Sequence, residues 1–271
     1  MGPRRRLWRV YGIVGIIAAA VGVGLFALGQ RYIPVAGKRI IPVYEVPTQE
    51  KKVALTFDIS WGEVTAPPVL DILKQQQVRS TFFLSGPWVQ GHQELAKRIA
   101  ADGHEIASHG WRHVNYSGLS SSMIQQEVSK AEEAIREVTG ATTRLIRTPN
   151  GDYNSMVVTA LRDIGYEVIQ WSVDSLDWMN PGVDSIVSRV LRLVKPGAII
   201  LMHASDSSRQ TVQALPAVIQ GLRDQGYQLV TVSELLTLGT PQRELPTSGE
   251  LPSFMTDVPV MWEDLPEGVE R

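Results

Sequence analysis

Between residues 52 and 238 the chain alternates short apolar runs with longer amphipathic stretches about seven times. Strand-length runs are expected at 53–57, 80–84, 105–107, 144–146, 166–173, 198–202 and 228–232. Between them lie helical stretches at 67–77, 93–101, 120–138, 155–164, 183–194, 211–225 and 233–238. The clearest is 120–138, where serines suited to capping precede Ile124, Val128, Ala131, Ile135 and Val138 on one face, before Gly140. Alternation of this kind implies parallel strands joined by crossover helices, in an open doubly wound sheet or a barrel. The fold class is therefore α/β. In a barrel the chemistry belongs at the C-terminal ends of the strands.

The two ends read differently. Arg4, Arg5, Arg6 and Arg9 precede an uncharged run from Tyr11 to Gly29. As a helix this run spans roughly 28 Å, about the thickness of a hydrocarbon core. Residues 1–10 are thus expected as a cytoplasmic basic segment and 11–29 as a single-pass transmembrane anchor, with the remainder outside the membrane. A cleaved signal peptide, with Ala27-Leu28-Gly29 near the cut, is the rival reading. Residues 30–50 read as a linker punctuated by Pro34, Pro42 and Pro47, residues 51–239 as the globular domain, and 240–271 as an acidic, proline-rich disordered tail. A net charge of −2 gives no electrostatic reason to expect nucleic acid as a partner, and no protein partner is implied. With no cysteine, disulfides, thiolate metal sites and cysteine nucleophiles are excluded.

Titratable and cationic residues gather just after the strands. Asp58 follows the first, His109 and His113 the third, Arg147 the fourth, Asp174 and Asp177 the fifth, and His203 the sixth. Three of the five histidines stand at these ends. Their convergence on one rim is hard to obtain from a purely structural protein. His109 and His113 are spaced i and i+4, and face the same way if 109–113 forms one helical turn. That arrangement suits zinc or a similar divalent ion. Trp61, Trp88, Trp111 and Trp178 are candidate stacking faces for a ring-shaped ligand.

Thr56-Phe57-Asp58, Ser108-His109-Gly110-Trp111-Arg112-His113, Arg147-Thr148-Pro149-Asn150-Gly151, Asp174-Ser175-Leu176-Asp177-Trp178 and Leu201-Met202-His203 resemble, in order, the motifs of the NodB-like polysaccharide deacetylases, carbohydrate esterase family four. Together with the apolar N-terminus, Thr56-Phe57-Asp58-Ile59-Ser60-Trp61-Gly62 further resembles the sporulation-associated, membrane-anchored deacetylases of Gram-positive bacteria. The resemblance implies a distorted (β/α)₇ barrel with an N-terminal transmembrane helix. It also implies removal of N-acetyl groups from amino sugars of a cell-wall glycan such as peptidoglycan. In this reading Asp58 is the general base, Arg147 orients it, His203 is the general acid and Asp177 supports His203. Asn150 supplies an oxyanion donor, Trp178 and Leu201 line an acetyl pocket, and a divalent metal, usually zinc, sits on His109 and His113. Where the family has its third metal ligand this chain has Ile59, which cannot coordinate. Three readings follow. Water or a shift of Asp58 completes the site, Glu63 reaches in from the next loop, or the protein works without metal as an idle glycan-binding or morphogenetic relative.

Overall fold

The structure is a computed structural model, and it describes residues 38–246. Among these, no helix is long and apolar enough to cross a membrane. The basic segment and anchor expected at 1–29 lie outside the described residues, as does the tail from 247 onward.

The strands are β1 (Lys38–Ile40), β2 (Lys52–Ile59), β3 (Thr81–Leu84), β4 (Glu105–Ser108), β5 (Leu145–Ile146), β6 (Glu167–Val168), β7 (Val173–Asp174), β8 (Ile199–His203), β9 (Gln228–Val230) and β10 (Glu244–Pro246). The helices are α1 (Ala66–Gln75), α2 (Gly86–Gly91), α3 (Gln93–Ala101), α4 (Ser121–Thr139), α5 (Ser155–Asp163), α6 (Val183–Leu193), α7 (Thr211–Asp224) and α8 (Val232–Leu236). Eight strands form one sheet in the order β6-β5-β4-β3-β2-β8-β7, with β9 on the first residues of β2, and every pairing in it is parallel. β1 and β10 make a separate two-stranded sheet.

The central strand β2 shows how sequence period fixes the layers. Val53, Leu55, Phe57 and Ile59 point to the helix side, where they pack with Val69, Leu70 and Leu73 of α1 and Leu215, Val218 and Ile219 of α7. Ala54 points the other way, into a second cluster with Phe83, Ile199, Leu201 and Trp171. Thr56 and Asp58 share the parity of Ala54, so a period of two delivers Asp58 to the inner side at the strand's C-terminal end. The sheet is curled around that side. β5 lies three places from β2, about 14 Å in a flat sheet, yet Arg147, immediately after β5, places Nη1 2.7 Å from Asp58 Oδ1.

Helix limits follow the expected signals. Ser120 caps α4, its Oγ accepting from the N–H of Met123, and Gly140 ends the helix at φ +72°. Asn154 caps α5 by accepting from Val157 N–H. The run expected as one strand at 166–173 instead divides into β6 and β7, which stand at opposite ends of the strand order. Polar residues occur throughout the run, at Glu167, Gln170 and Ser172, so none singles out where the chain leaves one edge for the other. Residues 86–91 form α2, a helix too short for a period to show in the sequence.

Residues 41–46 are not a linker. Ile41, Val43 and Val46 are wholly buried. Val43 N–H donates to Val168 C=O (2.8 Å) and Gln170 N–H donates to Val43 C=O (2.7 Å). Val43 thus bridges to Ile169 beside the β6 edge. The prolines that suggested a linker leave these donors intact while keeping the segment extended. Residues 241–245 also belong to the folded unit rather than to the tail, since Arg243 C=O accepts from Ile41 N–H (3.0 Å) and its guanidinium pairs with Glu167 (2.6 Å). Val43→Ala is expected to lower the unfolding free energy by about 2 kcal/mol, measured by urea denaturation. A change below about 0.5 kcal/mol, the range of neutral surface substitutions, would return the segment to linker status.

Candidate active site

Arg147 organises the rim. Its side chain is fully buried, and every donor it uses has a partner. Nη1 donates to Asp58 Oδ1 (2.7 Å) and Thr56 Oγ1 (3.0 Å), Nη2 to Gln170 C=O (3.2 Å), and Nε to Ile169 C=O (3.3 Å). Its guanidinium also lies 4.1 Å from the Phe83 ring centroid and 5.4 Å from that of Trp171. Burial, the largest single influence, would raise the Asp58 pKa, but the charge and hydrogen bond of Arg147 together with His109 and His203 hold the carboxyl below its ordinary value. Asp58 is therefore a buried carboxylate that stays ionised.

His203 stands directly across the sheet, since Asp58 and His203 are register partners in the β2–β8 pairing. Its Nδ1 donates to Asp177 Oδ1 (2.8 Å), and its backbone N–H donates to Asp177 Oδ2 (2.8 Å). Thr211 Oγ1 donates to the same Oδ2 (2.6 Å), so the buried Asp177 is held from three directions. Burial pulls the His203 pKa down, but the Asp177 carboxylate overcomes it and raises the imidazole above its ordinary value. Because Nδ1 is committed to Asp177, Nε2 is the nitrogen left to meet a substrate.

His109 and His113 come together, but not through a helical turn. Residues 109–115 are irregular, and Gly110 has φ +73° where an added Cβ would lie 2.2 Å from the Tyr116 hydroxyl. A tight bend thus does what i, i+4 spacing was expected to do, and the ring centroids end 5.4 Å apart. His109 Nδ1 faces the Arg147 carbonyl at 2.8 Å. A carbonyl only accepts, so Nδ1 carries the proton and Nε2 offers a lone pair, 3.8 Å from Asp58 Oδ2. Burial lowers both imidazoles, His113 to about 4, so both are neutral near pH 7.

This donor set fits a divalent ion on two nitrogens. Among the described residues no group of three or more His, Asp or Glu converges as a ligand set. Ile59 is fully buried with the helix-side cluster around Phe57, Leu84 and Trp88, on the opposite face to Asp58. Glu63 does not reach in. Its side chain is exposed, its Oε2 lies 3.9 Å from His92 Nε2, and its N–H donates to Asp206.

The remaining expected residues lie on the same rim. Asn150 takes φ +58° just after Pro149, and its side-chain amide donates to Asn115 Oδ1 (2.7 Å). Ser117 N–H and Oγ donate to Asp152 (2.6 and 2.9 Å), tying together the loops that follow His113 and Arg147. Trp178 is half-buried in a 3₁₀ turn, Asp177–Met179. Leu201 is buried on the inner side of β8, in line with His203. Asp174 accepts from Leu176 N–H through Oδ1 (2.8 Å), and burial raises its pKa to about 6. Sequence reasoning gave no role to Thr56 or Thr211. Thr56 was legible in principle, being two residues before Asp58 on the same face. Nothing local marks Thr211 as a partner of Asp177.

Residues 45–169 match the polysaccharide deacetylase family model. The chain is 38% identical over 196 residues to the peptidoglycan-N-acetylglucosamine deacetylase of Bacillus cereus, covering 71% of this chain and 92% of that protein. It is 35% identical over 195 residues to the protein YlxY of Bacillus subtilis, covering 72% of this chain but only 60% of the length of YlxY. Among solved structures, a family-four carbohydrate esterase pseudoenzyme from Bacillus anthracis superposes with a TM-score of 0.69 at 36% identity, covering 72% of this chain and 69% of that one. The chain belongs to the polysaccharide deacetylase family.

Replacing Arg147 with Met should destabilise the protein by about 3–5 kcal/mol at neutral pH, because Asp58 is left buried and unpaired. In that variant the folded-state pKa of Asp58 rises, so the loss should shrink as pH falls and the carboxyl protonates. Denaturation midpoints measured across pH for both proteins check the size and the sign.

Proposed function

We propose that this chain hydrolyses N-acetyl groups from amino sugars of a cell-wall glycan, peptidoglycan first, on a distorted (β/α)₇ barrel. The observation that carries this reading is the facing pair at the β2–β8 register. It sets a carboxylate held ionised by Arg147 opposite an imidazole held by Asp177. Asp58 takes a proton from the attacking water. His203 Nε2 delivers a proton to the departing amine, and Asp177 stabilises the imidazolium before that transfer. Asn150 N–H faces the developing oxyanion, and Trp178 with Leu201 lines the space for the acetyl methyl. A divalent ion, zinc in our reading, held by His109 and His113 would polarise the acetamide carbonyl and acidify water.

Location follows from the N-terminus. The basic segment and apolar run support a location outside the membrane, with the domain anchored by residues 11–29 or released after signal cleavage. That position would set it beside the wall polymer, as in the sporulation-associated deacetylases that its first motif resembles.

Two observations favour a second reading, an idle glycan-binding or morphogenetic protein. The third ligand position is an isoleucine turned into the apolar core, and the structural relative from Bacillus anthracis is itself described as a pseudoenzyme.

Acetate release separates the two. The unaltered chain, given Zn²⁺ or Co²⁺, should release acetate from peptidoglycan or N-acetylglucosamine oligomers. Asp58→Asn should lower the rate at least ~100-fold, the usual worth of a general base. No release with either metal while glycan binding persists would leave the idle reading standing.

A second test concerns pH. His203 must be protonated, so its raised pKa extends activity to higher pH, and activity is lost as pH rises through that value. Asp177→Asn removes the charge that raises it, so the alkaline limb of kcat should move to lower pH. An unmoved limb would assign the acid elsewhere.

A further inference from the structure

Trp61 sits on the site's rim with no part in the chemistry above. It is 47% exposed, whereas Trp88 is buried with its ring stacked on His92. Its ring centroid lies 5.3 Å from that of His113, with the planes at 81°. In a perpendicular contact the imidazole covers at most one face of the indole, and nearly half of Trp61 is exposed beside His113.

The backbone beneath Trp61 is fixed from several sides. The carboxylate of Asp206 accepts the N–H groups of Glu63 (3.1 Å), Val64 (2.9 Å) and Thr65 (2.9 Å). Ser60 N–H donates to Ser205 Oγ (3.0 Å), and the Trp88 indole N–H donates to Gly62 C=O (2.7 Å). Gly62 has φ +83°, and a Cβ there would lie 2.1 Å from the Asp206 carboxyl carbon. The segment that clamps the loop, 205–206, follows His203 directly in the chain. The backbone that carries the ring is therefore fixed rather than a loose loop, so less entropy is lost when a ligand lies on it.

We propose that Trp61 is a stacking platform for a pyranose ring of the glycan, seated on the exposed part of the indole next to His113. The C–H face of a hexosamine is apolar and flat enough to cover an indole, while its hydroxyl and acetamide edges remain free for the polar rim. This contact would make Trp61 a specificity-determining residue, and it rests on the glycan reading given above. It does not depend on turnover.

The test uses the full-length chain without added metal, so that no hydrolysis enters the readout. Calorimetric titration with the N-acetylglucosamine tetramer should show about tenfold weaker binding for Trp61→Ala, with Trp61→Phe recovering part of the loss. Circular dichroism confirms that each variant is folded, and Zn²⁺ titration reports on His113 separately. Tetramer affinity within twofold of the unaltered protein overturns the proposal. So does weakened Zn²⁺ binding with tetramer affinity intact, which would make Trp61 a brace for His113. Failure of the unaltered chain to bind the tetramer overturns it too. Loss of tetramer binding in Trp61→Ala upholds it even if no acetate is ever released, which keeps its fate distinct from that of the deacetylase reading.

Discussion

A guanidinium with no solvent contact must find every partner inside the protein, and Arg147 dictates much of this structure for that reason. It draws on β2 through Asp58 and Thr56, on the chain beyond β6 through the carbonyls of Ile169 and Gln170, and on the rings of Phe83 and Trp171. No flat sheet brings these groups within reach of one side chain. Curvature of the sheet and ionisation of Asp58 are therefore two results of a single buried cation. The carbonyl of the same residue fixes the His109 tautomer, so one residue holds both the Asp58 carboxylate and the His109 ring.

Much of this was legible beforehand, for definite physical reasons. Helices such as α4 announce themselves because their apolar face repeats through several turns and their caps are explicit residues. The strand ends carrying Asp58, His109, Arg147 and His203 were legible because ionisable groups at the close of apolar runs have few structural explanations. What stayed hidden depends on tertiary context. The split of 166–173 into β6 and β7 leaves no mark, since polar and apolar residues are mixed along the whole run. The bend at Gly110 mimics a helical spacing without being a helix. Residues 41–46 look like a linker until Val43 is seen filling the inner layer, and Thr211 becomes a partner of Asp177 only when α7 docks.

The site falls into halves of unequal completeness. On one side Arg147 pairs with Asp58 and Asp177 with His203, and each hydrogen bond biases the protonation state of its partner. On the other, His109 and His113 are neutral imidazoles, and Asp58 Oδ2, 3.8 Å from His109 Nε2, does not complete a group of three ligands among the described residues. Ile59 shows why position alone does not make a ligand. Its parity on β2 sends it to the helix layer, where an alkyl side chain is at home and a carboxylate would be costly. Proton chemistry and metal affinity are thus separable properties of one rim, and they can be gained or lost independently.

Asp206 has a consequence for how such a surface can diversify. Three successive N–H groups of the loop after β2, and the Thr65 side chain, are satisfied by a carboxylate from a different loop, so the path of residues 63–65 is set largely from outside the loop. Positions 61 and 64 can then be recoded one at a time over an unchanged backbone. Ligand preference becomes a matter of single substitutions on a preset frame, which makes this loop the natural place to redesign what the rim receives while leaving the proton machinery behind it untouched.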